Sequence, residues 1–233
     1  MRSEDFLELY REFEDLLENR YSGKKRRYSC VIYEYLNDNE SIPVRDKINI
    51  CREIRNLLTH TANLGGVAVV EPSEPVCDAL AEVVEYVKRP PLAIDFATKG
   101  DSIFKAGLNQ SVIKVMTIME KNGYSHVPIM ENGEFIGVFS RATMFSYLTE
   151  NYSRPITRNT TLKELRALLP INAHADNYAF ADKTLSLYDA RDIFEVVRGK
   201  NNRVSVIFIT RNGNEDEPLL AMITPWDVMG EGN

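Results

Sequence analysis

SHVPIMENGEFIGVFSRATMF, residues 125–145, sets apolar runs on both sides of an Asn132-Gly133 pair. Asn-Gly between two apolar runs is a strong signal for a two-residue hairpin turn. The stretch therefore reads as strand, turn, strand and then a polar switch into a helix. The same order returns in RVSVIFITRNGNEDEPLLAMITPWDVM, residues 203–229. An amphipathic segment precedes each copy, SVIKVMTIMEKNG at 111–123 and SLYDARDIFEVVRG at 186–199. Two weakly similar units of about 60 residues imply paired halves that complete each other's core.

The elements follow outward from these copies. The first predicts a short strand near Ile103-Phe104, a helix from an Ser111 cap to about Asn122, strands at 126–130 and 134–139, and a helix from Arg141. The second opens with a helix over 161–169, where Thr161 and Glu164 have capping-box spacing. A strand at 178–181, a helix over 186–198, strands at 204–209 and 219–223 and a helix from Pro225 complete it. The loop Arg211–Glu217 reads as polar and mobile, and its acidic run Glu215-Asp216-Glu217 as solvated. Trp226 could cover a ligand or pack beneath the last helix, and packing is the favoured expectation.

The first ninety residues read as helical. Phe6, Leu9, Tyr10, Phe13, Leu16 and Leu17 recur at helical spacing after a Ser3 cap. Further helices are expected over 28–36, from near Pro43 to about Asn63 with Gly65-Gly66 beyond it, and over 74–87. Arg89-Pro90-Pro91 ends the last one and marks the domain boundary. The fold class expected is α+β: a helical domain at 1–90, then strand–helix–strand–strand–helix units at 91–152 and 153–233.

Composition bounds the function. A net charge of −6 argues against a surface that coats nucleic acid broadly, although Lys24-Lys25-Arg26-Arg27 forms a local basic run. No apolar run approaches the ~20 residues that span a bilayer. The acidic, amphipathic start MRSEDFLELYREFEDLL is no secretory signal. Cys30, Cys51 and Cys77 are odd in number and lack metal-site spacing, which points to free thiols in a reducing cytoplasm. His60, His126 and His174 share no metal-binding spacing. With no glycine-rich phosphate loop, nucleophile elbow or zinc signature, no cofactor and no metal are expected.

The order strand–helix–strand–strand–helix, the SHVPIMENGEFIGV segment and the closing Thr224-x-x-Asp227 resemble the CBS domain family over roughly residues 92–230. That resemblance implies a tandem pair, often a homodimer, that binds adenine nucleotides in up to two clefts. It implies a ribose-binding role for Asp227 and a phosphate or ribose contact for Thr224. An ionised Asp accepts bonds from ribose hydroxyls, and Thr can donate to a phosphate oxygen. Met222, Tyr178, Ala179 and Phe180 are the further candidate ligand contacts. In the first copy Ser140 matches the hydroxyl, but Thr143 stands where the carboxylate belongs, so that site is expected to be degraded. AMP, ADP, ATP, S-adenosylmethionine and cyclic di-AMP all remain open as ligands. The alternative within this fold is a dimerisation module without ligand.

A second resemblance lies in Arg55-Asn56-Leu57-Leu58-Thr59-His60, near the end of a predicted helix. It is similar to the Arg-Asn-x-x-x-His pattern of the HEPN family, many of whose members are metal-independent ribonucleases. The resemblance implies His60 as general acid or base, Arg55 as the stabiliser of phosphate charge and Asn56 as an orienting group, with RNA as a further partner. Residues five apart lie about 140° apart around a helix, so Arg55 and His60 do not share a face unless the last turn distorts or two protomers share the site. The competing readings are therefore a nucleotide-binding regulator and a nucleotide-controlled endoribonuclease.

Overall fold

The computed structural model describes residues 3–23, 25–60, 70–150, 155–173, 176–198 and 202–229. The chain divides into two compact units, Met1–Pro90 and Pro91–Asn233.

The first unit is all helical: α1 (Ser3–Arg20), α2 (Val31–Leu36), a 3-10 turn at Asn39–Val44, α3 (Arg45–His60) and α4 (Glu74–Lys88). Phe6, Tyr10, Phe13 and Leu17 of α1 fall on one stripe and are buried. Leu80, Val83 and Val84 of α4 join the same core. Each such side chain contributes about 1.5–3 kcal/mol by leaving water. Helix α2 starts at Val31, three residues later than expected. The Glu34 carboxylate accepts the backbone N–H groups of Arg27 and Tyr28 at 2.8 and 2.9 Å, which holds that stretch outside the helix. Buried Glu40 is paired with Arg20 and accepts from Tyr35 Oη at 3.3 Å. The expected helix end at 61–66 and the segment 67–69 lie outside the described residues, as does Lys24.

The second unit holds α5 (Ala93–Phe96), β1 (Thr98–Lys99), β2 (Ala106–Gly107), α6 (Val112–Asn122), β3 (His126–Glu131), β4 (Glu134–Ser140) and α7 (Arg141–Glu150). A 3-10 turn at Leu162–Leu168 leads into β5 (Asn177–Asp182), α8 (Leu187–Glu195), β6 (Val197–Arg198), β7 (Asn202–Thr210), β8 (Ala221–Ile223) and α9 (Pro225–Met229). Strands β2-β3-β4 form one sheet. The other runs β1-β8-β7-β5, with β6 added to β7. The first half is thus strand–helix–strand–strand–helix, the second is the same with the short β6 added, and the fold class is α+β with a helical first unit. Asn132 and Gly133 take positive φ values of 53° and 89°, as the hairpin turn requires.

Several elements differ from expectation. Ile103-Phe104 is no strand; pairing starts at Ala106–Gly107, beside Ile129 and Met130 of β3. Helix α8 stops at Glu195, and Val197–Arg198 turns back as a strand against Arg203 and Asn202. The 161–169 stretch forms a 3-10 turn at Leu162–Leu168 rather than an α-helix, with the Thr161 N–H donating to the Glu164 carboxylate at 2.9 Å.

The halves exchange their leading segments. Ala93, Ile94 and Phe96 join the core of the second half, with Leu187, Phe194 and Ile223. Leu162, Leu165 and Leu169 join the core of the first, with Val115, Ile129 and Phe139. The backbone bonds match in kind. Ala93 N–H donates to Leu185 O and Leu187 N–H to Pro91 O, both at 2.8 Å; Leu162 N–H donates to Gln110 O and Val112 N–H to Thr160 O, both at 3.0 Å. Gly137 makes the second exchange possible: at φ 151°, a Cβ there would sit 2.1 Å from Leu169 O. A fourth cluster, Val138, Tyr178, Val206, Phe208 and Leu219, lies between the two sheets.

Candidate functional site

The end of β8 turns directly into α9, and this junction carries Thr224 and Asp227. Asp227 Oδ2 accepts from the Thr224 N–H at 2.7 Å and from Thr224 Oγ1 at 2.8 Å. Both bonds fall on one oxygen, so the lone pairs of Oδ1 are left for a ligand. The carboxylate thereby caps the turn through Oδ2 alone.

Thr224 and Asp227 line a cleft of about 310 Å³ together with Met222 and Trp226. That volume is at the small end of the roughly 300–1,000 Å³ of small-molecule sites. The exchanged segment supplies Thr98 to one wall. The first half supplies Phe104 and the stretch Gly123–His126 to the other. Phe104 and Tyr124 stack with ring centroids 6.2 Å apart and planes within 19°. Gly123 at φ 72° ends α6 and turns the chain so that Tyr124 reaches the cleft. Trp226 is 80% exposed at the same cleft. It does not pack beneath α9; Val228, two residues on and so on the opposite side of the helix, is the residue that joins the core.

Tyr178, Ala179 and Phe180 do not line this cleft. They lie on β5, which pairs with β7, so a whole strand separates them from Met222 on β8. Tyr178 and Phe180 instead pack against Phe208 between the sheets, with centroids at 5.9 and 5.5 Å. The sequence reading missed Thr98, Phe104, Tyr124 and His126. The signal for them is the repeat itself: halves that exchange leading segments bring the start of one against the end of the other.

The matching junction in the first half is buried, and a smaller cleft of about 150 Å³ reaches Ser140. Ser140 and Thr143 are 1% and 2% exposed. Thr143 Oγ1 accepts the Ser140 N–H at 3.0 Å, the bond that Asp227 makes in the second half. The Asp176 carboxylate takes the Ser140 hydroxyl at 2.7 Å and the Tyr178 hydroxyl at 3.3 Å, and lies 3.6 Å from His126 Nε2. Burial, with the Asp176 charge second, holds the Tyr178 phenol well above its usual range, so it remains a neutral donor. His126 therefore touches the open cleft on one side and the buried junction on the other.

In the first unit, Arg55 lies on α3 with Nη2 3.6 Å from Glu14 of α1 and its guanidinium 5.7 Å over the Tyr10 ring. The carbonyl groups of Arg55 and Asn56 accept from Thr59 Oγ1 at 2.9 and 3.5 Å. His60 ends α3, and its side chain lies outside the described residues, as does His174. Burial raises the Cys51 thiol to about 11 and raises Cys77 as well, so both stay protonated. Among the described residues no cluster of His, Cys, Asp or Glu has the makings of a metal site. Among them, too, no helix is long and apolar enough to cross a membrane.

Residues 93–150 match the model of the CBS domain family. This segment is a CBS domain. Solved structures similar to the chain include CBSX2 in complex with AMP, 14% identical with a TM-score of 0.42, covering 60% of this chain and 94% of that one. The CBS domain pair of protein MJ0100 in complex with 5′-methylthioadenosine and S-adenosyl-L-methionine is 17% identical with a TM-score of 0.41, covering 60% and 93%. Protein MJ1225 from Methanocaldococcus jannaschii is 15% identical with a TM-score of 0.42, covering 78% and 63%. No curated protein matches the chain.

Proposed function

We propose that the cleft at Thr224 and Asp227 binds an adenine-containing ligand, and that its occupancy regulates the helical first unit. The observation that carries this reading is the pairing of the Asp227 carboxylate with the rings of Phe104, Tyr124 and Trp226 in one cleft. A carboxylate with a free oxygen takes a ribose diol, and exposed rings take a purine face. The second half thus holds the working site, while Thr143 and Asp176 close the first. The ligand shifts the regulator only by binding two arrangements of the pair, or of a homodimer, with different affinity.

The test is a thermal-shift panel of AMP, ADP, ATP, S-adenosylmethionine, 5′-methylthioadenosine and cyclic di-AMP against wild type and Asp227→Ala. A ligand at 100 times its Kd stabilises by about 2.7 kcal/mol, or roughly 5–11 °C for a chain of this size. A shift in wild type that disappears in Asp227→Ala supports the reading. Absence of any shift overturns it. RNA cleavage lost in His60→Ala but kept in Asp227→Ala would instead make the helical unit a ribonuclease.

A further inference from the structure

We infer that the cleft selects an adenosine whose 5′ end carries no phosphate, a neutral thioether or a sulfonium, over AMP, ADP or ATP. This rests on the function proposed above and concerns the same site. It follows from where the hydrogen-bond donors of the cleft are already committed.

A phosphate needs donors, preferably cationic ones. Both donors of Thr224, the residue expected to reach a phosphate, are spent on Asp227 Oδ2. The backbone N–H groups of Gly123 and Tyr124 both go to Met119 O. The N–H of Ile103 goes to Gly100 O, and that of Asp227 to Thr224 O. Ser125 Oγ is engaged with His126 Nδ1 at 2.8 Å, and His126 Nε2 faces the Asp176 carboxylate. Among the described residues lining the cleft there is no Lys and no Arg. What remains for the 5′ end is neutral: the hydroxyls of Thr98, Ser102 and Tyr124, the Trp226 indole N–H, and the apolar surface of Ile103 and Met222.

The charge that is present has the wrong sign for phosphate. Asp227 stands where it would grip the ribose hydroxyls, with C4′ and C5′ between the 3′ position and the 5′ group, and in a part-buried cleft its charge disfavours an anion there. The same charge attracts a sulfonium. Trp226 and Tyr124 add ring faces that a cation favours. A methylthio group is neutral and apolar, and it suits the Met222 and Ile103 wall.

Titration calorimetry on the full chain tests this with 5′-methylthioadenosine, S-adenosylmethionine, AMP and ATP. The thioether and the sulfonium are expected to bind at least tenfold more tightly than AMP. Binding of AMP or ATP as tightly as 5′-methylthioadenosine overturns the inference and leaves the proposed function standing. Failure of all four to bind overturns the inference, and the proposed function then falls only if ADP and cyclic di-AMP also fail to bind. In Asp227→Asn every ligand is expected to weaken, but the ratio of the AMP to the 5′-methylthioadenosine Kd should fall toward one. An unchanged ratio overturns the electrostatic argument.

Discussion

The two strand-to-helix junctions of the second unit are built alike and differ in exposure. At β8–α9 a carboxylate caps the turn, keeps one oxygen free and faces a cleft. At β4–α7 a threonine hydroxyl makes the same cap bond, and the junction is buried. The Asp176 carboxylate then sits against Ser140 from outside the turn. A folded turn needs only an acceptor at the third helical position, and either Thr or Asp supplies one. A ribose site needs an acceptor with lone pairs to spare, and only Asp supplies that. Folding therefore tolerates the difference between the halves, while the ribose binding proposed above would not.

The largest effect expected from disturbing this pair lies in the exchange that builds it. Gly137→Val places a Cβ 2.1 Å from Leu169 O at a positive φ that β-branched residues avoid. The carbonyl contact is backbone, so a flexible side chain cannot yield. Urea denaturation should show a loss of about 3 kcal/mol or more. A loss below about 1 kcal/mol would mean that the Leu162–Leu169 segment docks less tightly than Val138 N–H to Leu169 O at 2.9 Å implies.

Asp227→Ala separates binding from folding at the open junction. Losing charge-assisted bonds to a ribose should weaken ligand binding by about 1.5–3 kcal/mol, roughly 10- to 150-fold in Kd. The lost cap should cost stability only about 1 kcal/mol. Calorimetry and urea curves on one variant read both. A stability loss with unchanged Kd would assign Asp227 to the cap alone.

The buried junction is sharpened by a double-mutant cycle. Thr143→Asp restores the carboxylate but places it near Asp176, where both would compete for Ser140. Adding Asp176→Asn removes the repulsion. The two changes are expected to couple favourably by roughly 1–3 kcal/mol in urea denaturation. Additive behaviour would show that the two positions do not share the site.

Much of this comparison is legible in the residues alone, and the part that is not has a physical cause. Asn132-Gly133, the Gly123 helix end and the Ser140/Thr143 and Thr224/Asp227 spacings are local signals, and each falls where the pattern places it. The site's opposite wall is not local. Phe104 and Tyr124 reach Asp227 only because the halves face each other, and β5 misses it because β7 intervenes. Trp226 reads as a buried residue by type, yet its place at the cleft follows from Val228 having taken the inward position. Short segments such as Ala93–Phe96 carry too little periodicity to show which core they join.

The smallest expected effect concerns how the two halves join their paired strands. The first uses a two-residue turn, while the second uses a loop from Arg211 that was expected to be mobile. Its Glu217 is not merely solvated. The carboxylate accepts the Asn212 N–H at 2.7 Å and the Asn212 side chain, and these bonds depress its pKa to about 2. An unfolded Glu titrates near 4.3. A depressed folded pKa means that the native state holds the ionised form more tightly, so its contribution is present above about 4.3 and is lost as pH falls toward 2. Glu217→Gln should therefore melt below wild type at pH 7, with the gap closing between about pH 4.5 and pH 2. Melting curves across that window check it. A gap that does not depend on pH would place the effect in packing rather than in the charge.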